Sequence, residues 1–231
     1  MSVLTDPGWV VPPLPPGDGG GMDRLRRSVS RFATGEVHAE RRSAVEQVLA
    51  AIPPAELRAA ARALTLGDPS RPVVPRVPLT VLAAALGADD PAAVAALVPP
   101  VAAAYLPPPP ATAAPGAAPA GPAPGPAGGV AADAAADELV RRVGVAAATV
   151  LVQSCLPVTA LVTGALDDGL EGALASATPP VPATRRWSPA TGETVTVPLA
   201  GTPFGQGPRR CPGEEHARAL AAGVLDALQP A

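Results

Sequence analysis

Apolar residues recur at helical spacing in several segments of the chain, most clearly in residues 36–52. The apolar side chains that share one face of this segment are Ala44, Val45, Val48, Leu49 and Ile52. This spacing predicts an amphipathic helix that begins near Thr34 and Gly35. We expect the helix to end at residues 53–54, because both are proline and proline cannot continue a helix.

The same pattern predicts five further helices. Their expected positions are residues 55–65, 78–87, 91–105, 134–166 and 212–228. Gly87 is expected to cap the C-terminal end of the helix predicted at residues 78–87, because glycine adopts the left-handed backbone conformation without steric cost. The prolines at 99–100 and 157 are expected to bend or split the helices that contain them.

Two segments lack helical periodicity. Residues 107–130 consist almost entirely of Pro, Ala and Gly, so they bury little apolar surface and predict a semi-extended linker. Residues 178–200 alternate Pro, Thr and Val, which predicts a small β-hairpin or edge strand. The expected fold class is therefore mainly α with a small β element. The linker would separate a helical part, residues 1–106, from a second part, residues 131–231.

Composition limits both the core and the partners. Aromatic residues make up only 2% of the chain, so Ala, Val and Leu must form the core. Small side chains bury little area each, which predicts modest stability without a ligand. All 17 basic residues are arginine, the net charge is −3 and no basic stripe predicts binding to nucleic acid. The N-terminus lacks the charged and apolar regions of a secretory signal, so we expect a cytoplasmic protein.

A run of 24 uncharged residues between Arg142 and Asp167 is long enough to span a bilayer. Polar Gln153 and Ser154, together with Pro157, lie near its middle, and no aromatic belt flanks it. These features favour a buried central helix over a membrane span. A membrane-associated helical protein stays open as an alternative interpretation.

One of the two cysteines, Cys211, directly precedes the predicted C-terminal helix. We expect Pro212 at the first helical position, where its missing N–H costs nothing. Cys211 would then lie at the helix N-terminus, where free N–H groups and the positive end of the dipole lower the pKa of a thiol. The thiolate is the form of a cysteine that binds metal.

The residues around Cys211 fit the same purpose. Gly207 and Gly213 are expected to let the backbone turn tightly and approach a flat ligand closely. Phe204 is expected to shield the sulfur, and Arg209 is expected to pair with a carboxylate.

The spacing Phe-x-x-Gly-x-Arg-x-Cys-x-Gly in residues 204–213 resembles the haem-binding loop of the cytochromes P-450. This resemblance implies that Cys211 is the axial thiolate ligand of the iron in a haem b and that Arg209 binds a haem propionate. It also implies a truncated P-450-like helical fold around the haem. The implied activity is monooxygenation of a small organic substrate with electrons from a ferredoxin-type partner.

Two other segments resemble the same family. RFATGEVHAERR resembles the helix that contributes a His and an Arg to the haem propionates, which implies this role for His38 and Arg42 on one helix face. PPVPATRRW at 179–187 resembles the strand entry where an Arg meets the other propionate. Arg186 fits that position best, and Arg185 is the alternative.

The family pattern fails at two places that bear on turnover. In the central helix of the family, an acidic residue and a Thr deliver protons during oxygen activation, whereas an ungapped match here gives Leu156 and Val158. A one-residue slip supplies Thr159 as the alcohol but still no acid. The Glu-x-x-Arg pair of the family is also missing, because Glu171 is followed at +3 by Leu174.

Three functions therefore stay open. The first is a haem-thiolate monooxygenase, and the second is a catalytically degenerate P-450 homologue that serves as an accessory subunit of a partner enzyme. The third is a membrane-associated helical protein without haem. Substrate-dependent electron consumption separates the first two, and pigment colour and fractionation separate the third.

Overall fold

A computed structural model describes residues 2–67, 73–106 and 126–229, without the side chains of 73–75 and 126–128. In these residues the chain is mainly helical and carries one small sheet, which confirms the expected fold class. The helices are α1 (Gly21–Ser28), α2 (Gly35–Ala50), α3 (Pro54–Gly67), α4 (Val73–Ala85), α5 (Pro91–Tyr105), α6 (Pro126–Ala175) and α7 (Glu214–Leu228). The strands are β1 (Ala183–Trp187) and β2 (Thr194–Pro198), and short 3₁₀ turns lie at Ser30–Phe32 and Gly207–Arg209.

The expected linker falls mostly outside the described residues, which leave out 107–125. Its last residues differ from the prediction, because helix α6 already begins at Pro126. Proline is tolerated in the first turn of a helix, and Ala-rich sequence favours continuation from there.

The core forms around α6, which packs against α1, α4, α5 and α7, while α3 packs along α7. The largest fully buried side chains are leucines and valines, among them Leu57, Leu82, Leu139, Leu151, Leu161 and Leu220. The prediction of a core built from Ala, Val and Leu is confirmed.

The predicted cap at Gly87 is also confirmed. Gly87 has a φ of +79°, in the left-handed region. Its N–H donates to the Ala84 carbonyl, and the N–H of Ala88 donates to the Ala83 carbonyl, both over 3.0 Å. This pair of bonds satisfies carbonyl groups at the end of α4 that have no partner within the helix.

The prolines do not break the helices as expected. Helix α5 runs unbroken through Pro99 and Pro100, and both residues are exposed, so water can solvate the carbonyl groups that they leave unpaired. In α6 the non-helical residues are Gly144 and Gly169, with φ of 77° and 70°, rather than Pro157. Glycine reaches these backbone angles without a side-chain clash, and therefore the breaks fall there.

Among the described helices, α6 is the one long and apolar enough to cross a membrane by length and composition. Its most apolar window has a mean hydropathy of 1.9, and half of that window is buried inside the protein. A core helix that is packed on several sides has the same composition.

The strands form an antiparallel pair in which Arg186 lies opposite Val195 and Trp187 lies opposite Thr194. The N-terminal segment joins this sheet, because Val10 and Trp187 exchange backbone hydrogen bonds of 2.9 and 2.8 Å. The antiparallel pairing of β1 and β2 confirms the predicted hairpin. The bonds with Val10 fix the backbone next to Arg186.

Gly223 allows α3 and α7 to cross closely, and replacing it should destabilise the fold. A Cβ atom at this position would collide with the Arg58 carbonyl oxygen and the Ala61 side chain. We expect Gly223→Ala to lower the free energy of unfolding by about 1–3 kcal/mol in urea titration. The matched control is Gly129→Ala in α6, where a Cβ meets open space. That variant should be stabilised by about 0.5–1 kcal/mol, and an equal response of both variants would contradict the crossing argument.

Candidate functional site

Cys211 lies in a tight loop between the 3₁₀ turn at Gly207–Arg209 and helix α7. Its N–H donates to the Phe204 carbonyl over 2.8 Å, and the Arg210 N–H donates to the Gly207 carbonyl over 3.0 Å. Gly205 and Gly207 have φ of 73° and 66°. The tight turn predicted at Gly207 is therefore present, and Gly205 is a second requirement that the motif spacing did not reveal.

The predicted start of α7 is wrong. The helix begins at Glu214 with Gly213 as its N-cap, and Pro212 lies in the preceding turn. A Pro-Gly pair favours such a turn, since proline fixes φ and glycine adapts to the following position. Cys211 therefore lies two residues before the cap rather than at the helix N-terminus.

The predicted low pKa of the Cys211 thiol is also wrong. The residue keeps solvent-exposed surface, yet protein atoms surround much of the thiol, and this burial raises the pKa. A hydrogen bond from the Gly213 backbone and the charges of Arg42 and Arg210 act in the opposite direction but do not offset it. The thiol is therefore protonated at neutral pH, and a metal bound there must displace its proton.

The atoms that come closest to Gly207 belong to the protein's own N-terminal segment. A Cβ at Gly207 would lie 3.2 Å from the Leu4 carbonyl oxygen and equally close to the Thr5 side chain. Gly213 lies in the turn that precedes α7, as expected, and its φ of −100° is one that other residues also adopt. Phe204 packs against the core, and the Arg218 guanidinium lies 5.6 Å from the centre of its ring.

A pocket of about 390 Å³ opens at Cys211. Its lining residues are Arg210, Cys211, Pro212, Glu214, Glu215, His216 and Arg218, all from the loop and the first turns of α7. Polar and charged side chains thus dominate this pocket.

His216 belongs to none of the motifs and was not predicted as a site residue. Its Nε2 lies 3.0 Å from both the Leu49 and Ile52 carbonyl oxygens. Since carbonyl groups only accept, Nε2 carries a proton and donates. Nδ1 is buried and has no hydrogen-bond partner among the described residues. The position of His216 four residues before Leu220, on the buried face of α7, was the available signal.

Arg209 is the centre of a group of cations beside this loop. Its guanidinium donates to the Ala33 carbonyl over 2.6 Å. Burial and the charges of Arg186 and Arg42 lower its pKa to about 10. When the nearest charges of an arginine are other cations, a bound anion stabilises its charged form.

Arg186 is the most buried of these cations, with 6% of its surface exposed. Its guanidinium donates to the Thr184 hydroxyl and the Arg185 carbonyl, both over 3.0 Å. Burial and then the charge of Arg31 lower its pKa. Arg31, the first residue of the segment RFATGEVHAERR, was given no role by the resemblance and is a further member of the group.

His38 and Arg42 complete the group from helix α2. Burial, followed by the charges of Arg209 and Arg42, lowers the pKa of His38. Arg42 pairs with Glu46 over 2.6 Å and also donates to the Arg210 carbonyl over 2.6 Å. The structure therefore brings together His38, Arg42, Arg186 and Arg209, and we call these four with Arg31 the cationic cluster.

Thr159 on α6 is not among the residues that line the pocket at Cys211. Its hydroxyl donates to the Cys155 carbonyl over 2.7 Å, within its own helix. Leu156 is 57% exposed whereas Val158 is 3% exposed. These two positions face opposite sides of α6, as residues two apart in a helix must.

The charges around the pocket belong mainly to ion pairs of the fold. Glu171 pairs with Arg218 of α7 over 2.6 Å, and Arg210 pairs with Glu214 over 2.5 Å. By contrast, within the described part of the chain no carboxylate lies within ion-pair distance of Arg186 or Arg209.

The arrangement combines a thiol that is largely surrounded by protein, on a residue that keeps exposed surface, with a neighbouring group of cations that have few counter-ions. Guanidinium groups bind carboxylates through paired hydrogen bonds, but none of His38, Arg42, Arg186 and Arg209 is among the residues that line the pocket at Cys211. Among the described side chains no three His, Cys, Asp or Glu groups lie close enough together to hold a metal ion. Comparison of the chain with protein-family models, with curated proteins and with solved structures found no significant match.

Proposed function

We propose that the chain is a haem-thiolate protein of the cytochrome P-450 type, a monooxygenase of small organic substrates that takes electrons from a ferredoxin-type donor. The observation that carries this proposal is the meeting of His38, Arg42, Arg186 and Arg209. Three segments far apart in sequence supply these residues, and each was expected to bind a haem propionate on the basis of a separate motif. Their convergence beside Cys211 is not a consequence of any one motif.

The charges of Arg186 and Arg209 are suited to the propionate edge of such a cofactor. Two propionates carry two negative charges, and Arg209 and the buried Arg186 lack a carboxylate partner among the described residues. Cys211 lies close enough to Arg42 that the guanidinium charge acts on the thiol. The proposal requires that one ligand reach both the sulfur and the cationic cluster.

In this proposal Cys211 would ligate the iron, and Arg186, Arg209, Arg42 and His38 would hold the propionates. The cofactor, when bound, supplies activation of dioxygen, with electron density contributed by the thiolate. The Gly213 N–H donates towards the sulfur and stabilises its anion. The guanidinium groups orient the ligand, because their planar donors match carboxylate geometry.

A second candidate is a haem-binding accessory subunit without turnover. The side chains of α6 favour this second candidate. The Thr159 hydroxyl donates to a carbonyl of its own helix, and Leu156 and Val158 face opposite sides of the helix. No proton relay is formed by these three residues. We propose a cytoplasmic location for either candidate.

Loss of Arg209 should weaken haem binding while leaving the fold intact. We expect Arg209→Gln to raise the dissociation constant for ferric haem about 10-fold or more in spectrophotometric titration, since a charge-assisted hydrogen bond is worth about 1.5–3 kcal/mol. The matched control is Arg62→Gln, which removes the same charge from an exposed position on α3. Equal affinities of Arg209→Gln and the unmodified protein would overturn the assignment of the propionate site.

A further inference from the structure

Arg218 of helix α7 lines the pocket at Cys211 and has no role in the proposed function. Its guanidinium pairs with Glu171 of α6 over 2.6 Å and with Glu214 in the first turn of α7 over 3.5 Å. The Glu171 side chain is 78% exposed, so its pair with Arg218 contributes little to stability by itself. The two carboxylates lie on different helices, however, and together they fix where the guanidinium lies.

The position so fixed is over the ring of Phe204, with the guanidinium 5.6 Å from the centre of the ring. A cation at this distance is attracted by the electrons of the ring face. Phe204 begins the loop of residues 204–213, which we call the Cys211 loop. The Phe204 carbonyl accepts the hydrogen bond from the Cys211 N–H over 2.8 Å. Arg218 therefore contacts the residue whose backbone holds Cys211.

A second connection between Arg218 and the Cys211 loop runs through Glu214. One carboxylate oxygen of Glu214 lies 3.5 Å from Arg218, and the other lies 2.5 Å from Arg210. Arg210 directly precedes Cys211 in the chain. Arg218 is thus linked to the loop both at its first residue and next to the thiol.

We infer that Arg218 is a positioning residue for Cys211, which it keeps in place by holding the Phe204 ring and the Glu214 carboxylate. The inference deepens the proposed function and rests on it only for the identity of the ligand that Cys211 binds. The position of the loop can be measured without any ligand, through the Phe204 ring and through the access of a small reagent to the thiol.

Fluorine NMR can follow the Phe204 ring, because the chain contains only two phenylalanines, Phe32 and Phe204. Fluorinated phenylalanine labels both rings, and Phe204→Leu assigns the two resonances. We expect Arg218→Gln to shift the Phe204 resonance and to leave Phe32 unchanged, because the Phe32 ring packs against Tyr105 at 5.4 Å. Arg218→Lys should give a smaller shift, since an ammonium group also binds a ring face.

Alkylation by iodoacetamide measures access to the Cys211 thiol when Cys155→Ala removes the other cysteine. Only the thiolate reacts, so the rate is followed across pH and expressed per thiolate, which separates access from the thiol pKa. Loss of the contact with the ring should raise this rate about 2–5-fold in Arg218→Gln, because the loop then opens more often. The control Arg62→Gln, at an exposed position on α3, should leave the rate unchanged. Equal rates in Arg218→Gln and its Arg218 parent would overturn the inference.

Glu171→Gln tests whether the effect of the α6 carboxylate passes through Arg218. We expect a smaller rise in the alkylation rate from Glu171→Gln alone, and no further rise when it is combined with Arg218→Gln, since its partner is then gone. Asp168→Asn removes the same charge from a neighbouring exposed position on α6 and should have no effect. Additive rises from Glu171→Gln and Arg218→Gln would contradict the inference.

Haem titration of the same variants separates this inference from the proposed function. If the Phe204 resonance and the alkylation rate respond as expected while haem does not bind, the positioning role of Arg218 stands and the haem proposal fails. If haem binds while Arg218→Gln leaves both the resonance and the rate unchanged, the positioning role is wrong and the haem proposal stands.

Discussion

Cys211→Ala is expected to lose ferric haem affinity about 100-fold or more. Loss of the residues that merely orient a metal ligand already costs about 10–100-fold in affinity, and loss of the ligand itself should cost at least as much. The expected cationic side chains are unchanged in this variant, so weak residual binding should survive. Spectrophotometric haem titration at constant pH measures the difference.

Cys155→Ala is the matched control, since it removes the other thiol. Cys155 is 4% exposed inside α6, and burial raises the pKa of its thiol. The substitution leaves a small cavity and should cost about 1 kcal/mol of stability without changing haem affinity. Equal losses in both variants would show that haem binding reports on the fold rather than on Cys211.

The second large effect concerns how much of the electron consumption leads to oxygenated product. We expect most electrons supplied by a surrogate ferredoxin system to appear as hydrogen peroxide rather than as oxygenated product. General acid–base assistance is typically worth about 10²–10⁴-fold, and neither Leu156 nor Val158 can transfer a proton. Electron consumption, peroxide and product measured in one reaction give the coupling. Tight coupling in the unmodified protein would contradict this expectation and would assign proton delivery to water or substrate.

Thr159→Val tests whether the Thr159 hydroxyl takes part in proton delivery. Because the Thr159 hydroxyl already donates to the Cys155 carbonyl, we expect product per electron to change less than about twofold. A large fall in product per electron would instead identify Thr159 as part of a proton relay, as the one-residue slip in the central helix predicted.

Most helix positions were predictable from periodicity, although the short helix α1 was missed, whereas interruptions were not predictable. The apolar face of residues 36–52 corresponds to α2, and the cap at Gly87 follows from the backbone freedom of glycine. Proline alone was a poor guide to breaks, because its effect depends on whether water can reach the carbonyl groups it leaves unpaired. Gly144 and Gly169 carry the breaks in α6, and no local pattern distinguishes them from helical Gly164.

The candidate site was predictable where a motif fixed the spacing. Four cationic residues expected from separate motifs lie together, but Arg31 was missed because its proximity to Arg186 depends on how the sheet meets the N-terminal region. The pKa of Cys211 was predicted in the wrong direction, because sequence shows the nearby helix start but not the burial of the sulfur. Local chemistry is readable from sequence, whereas solvation depends on the fold.

The central claim is thiolate ligation of a haem by Cys211, and the reduced carbon monoxide spectrum of the purified protein tests it most directly. The protein should be expressed with a haem precursor, and Cys155→Ala and Cys211→Ala should be prepared in parallel. We predict a Soret band shifted to the red, as thiolate ligation produces, in the unmodified protein and in Cys155→Ala, and no such band in Cys211→Ala. A haem-loaded protein without the shifted band, or one that keeps the band in both variants, would contradict the claim.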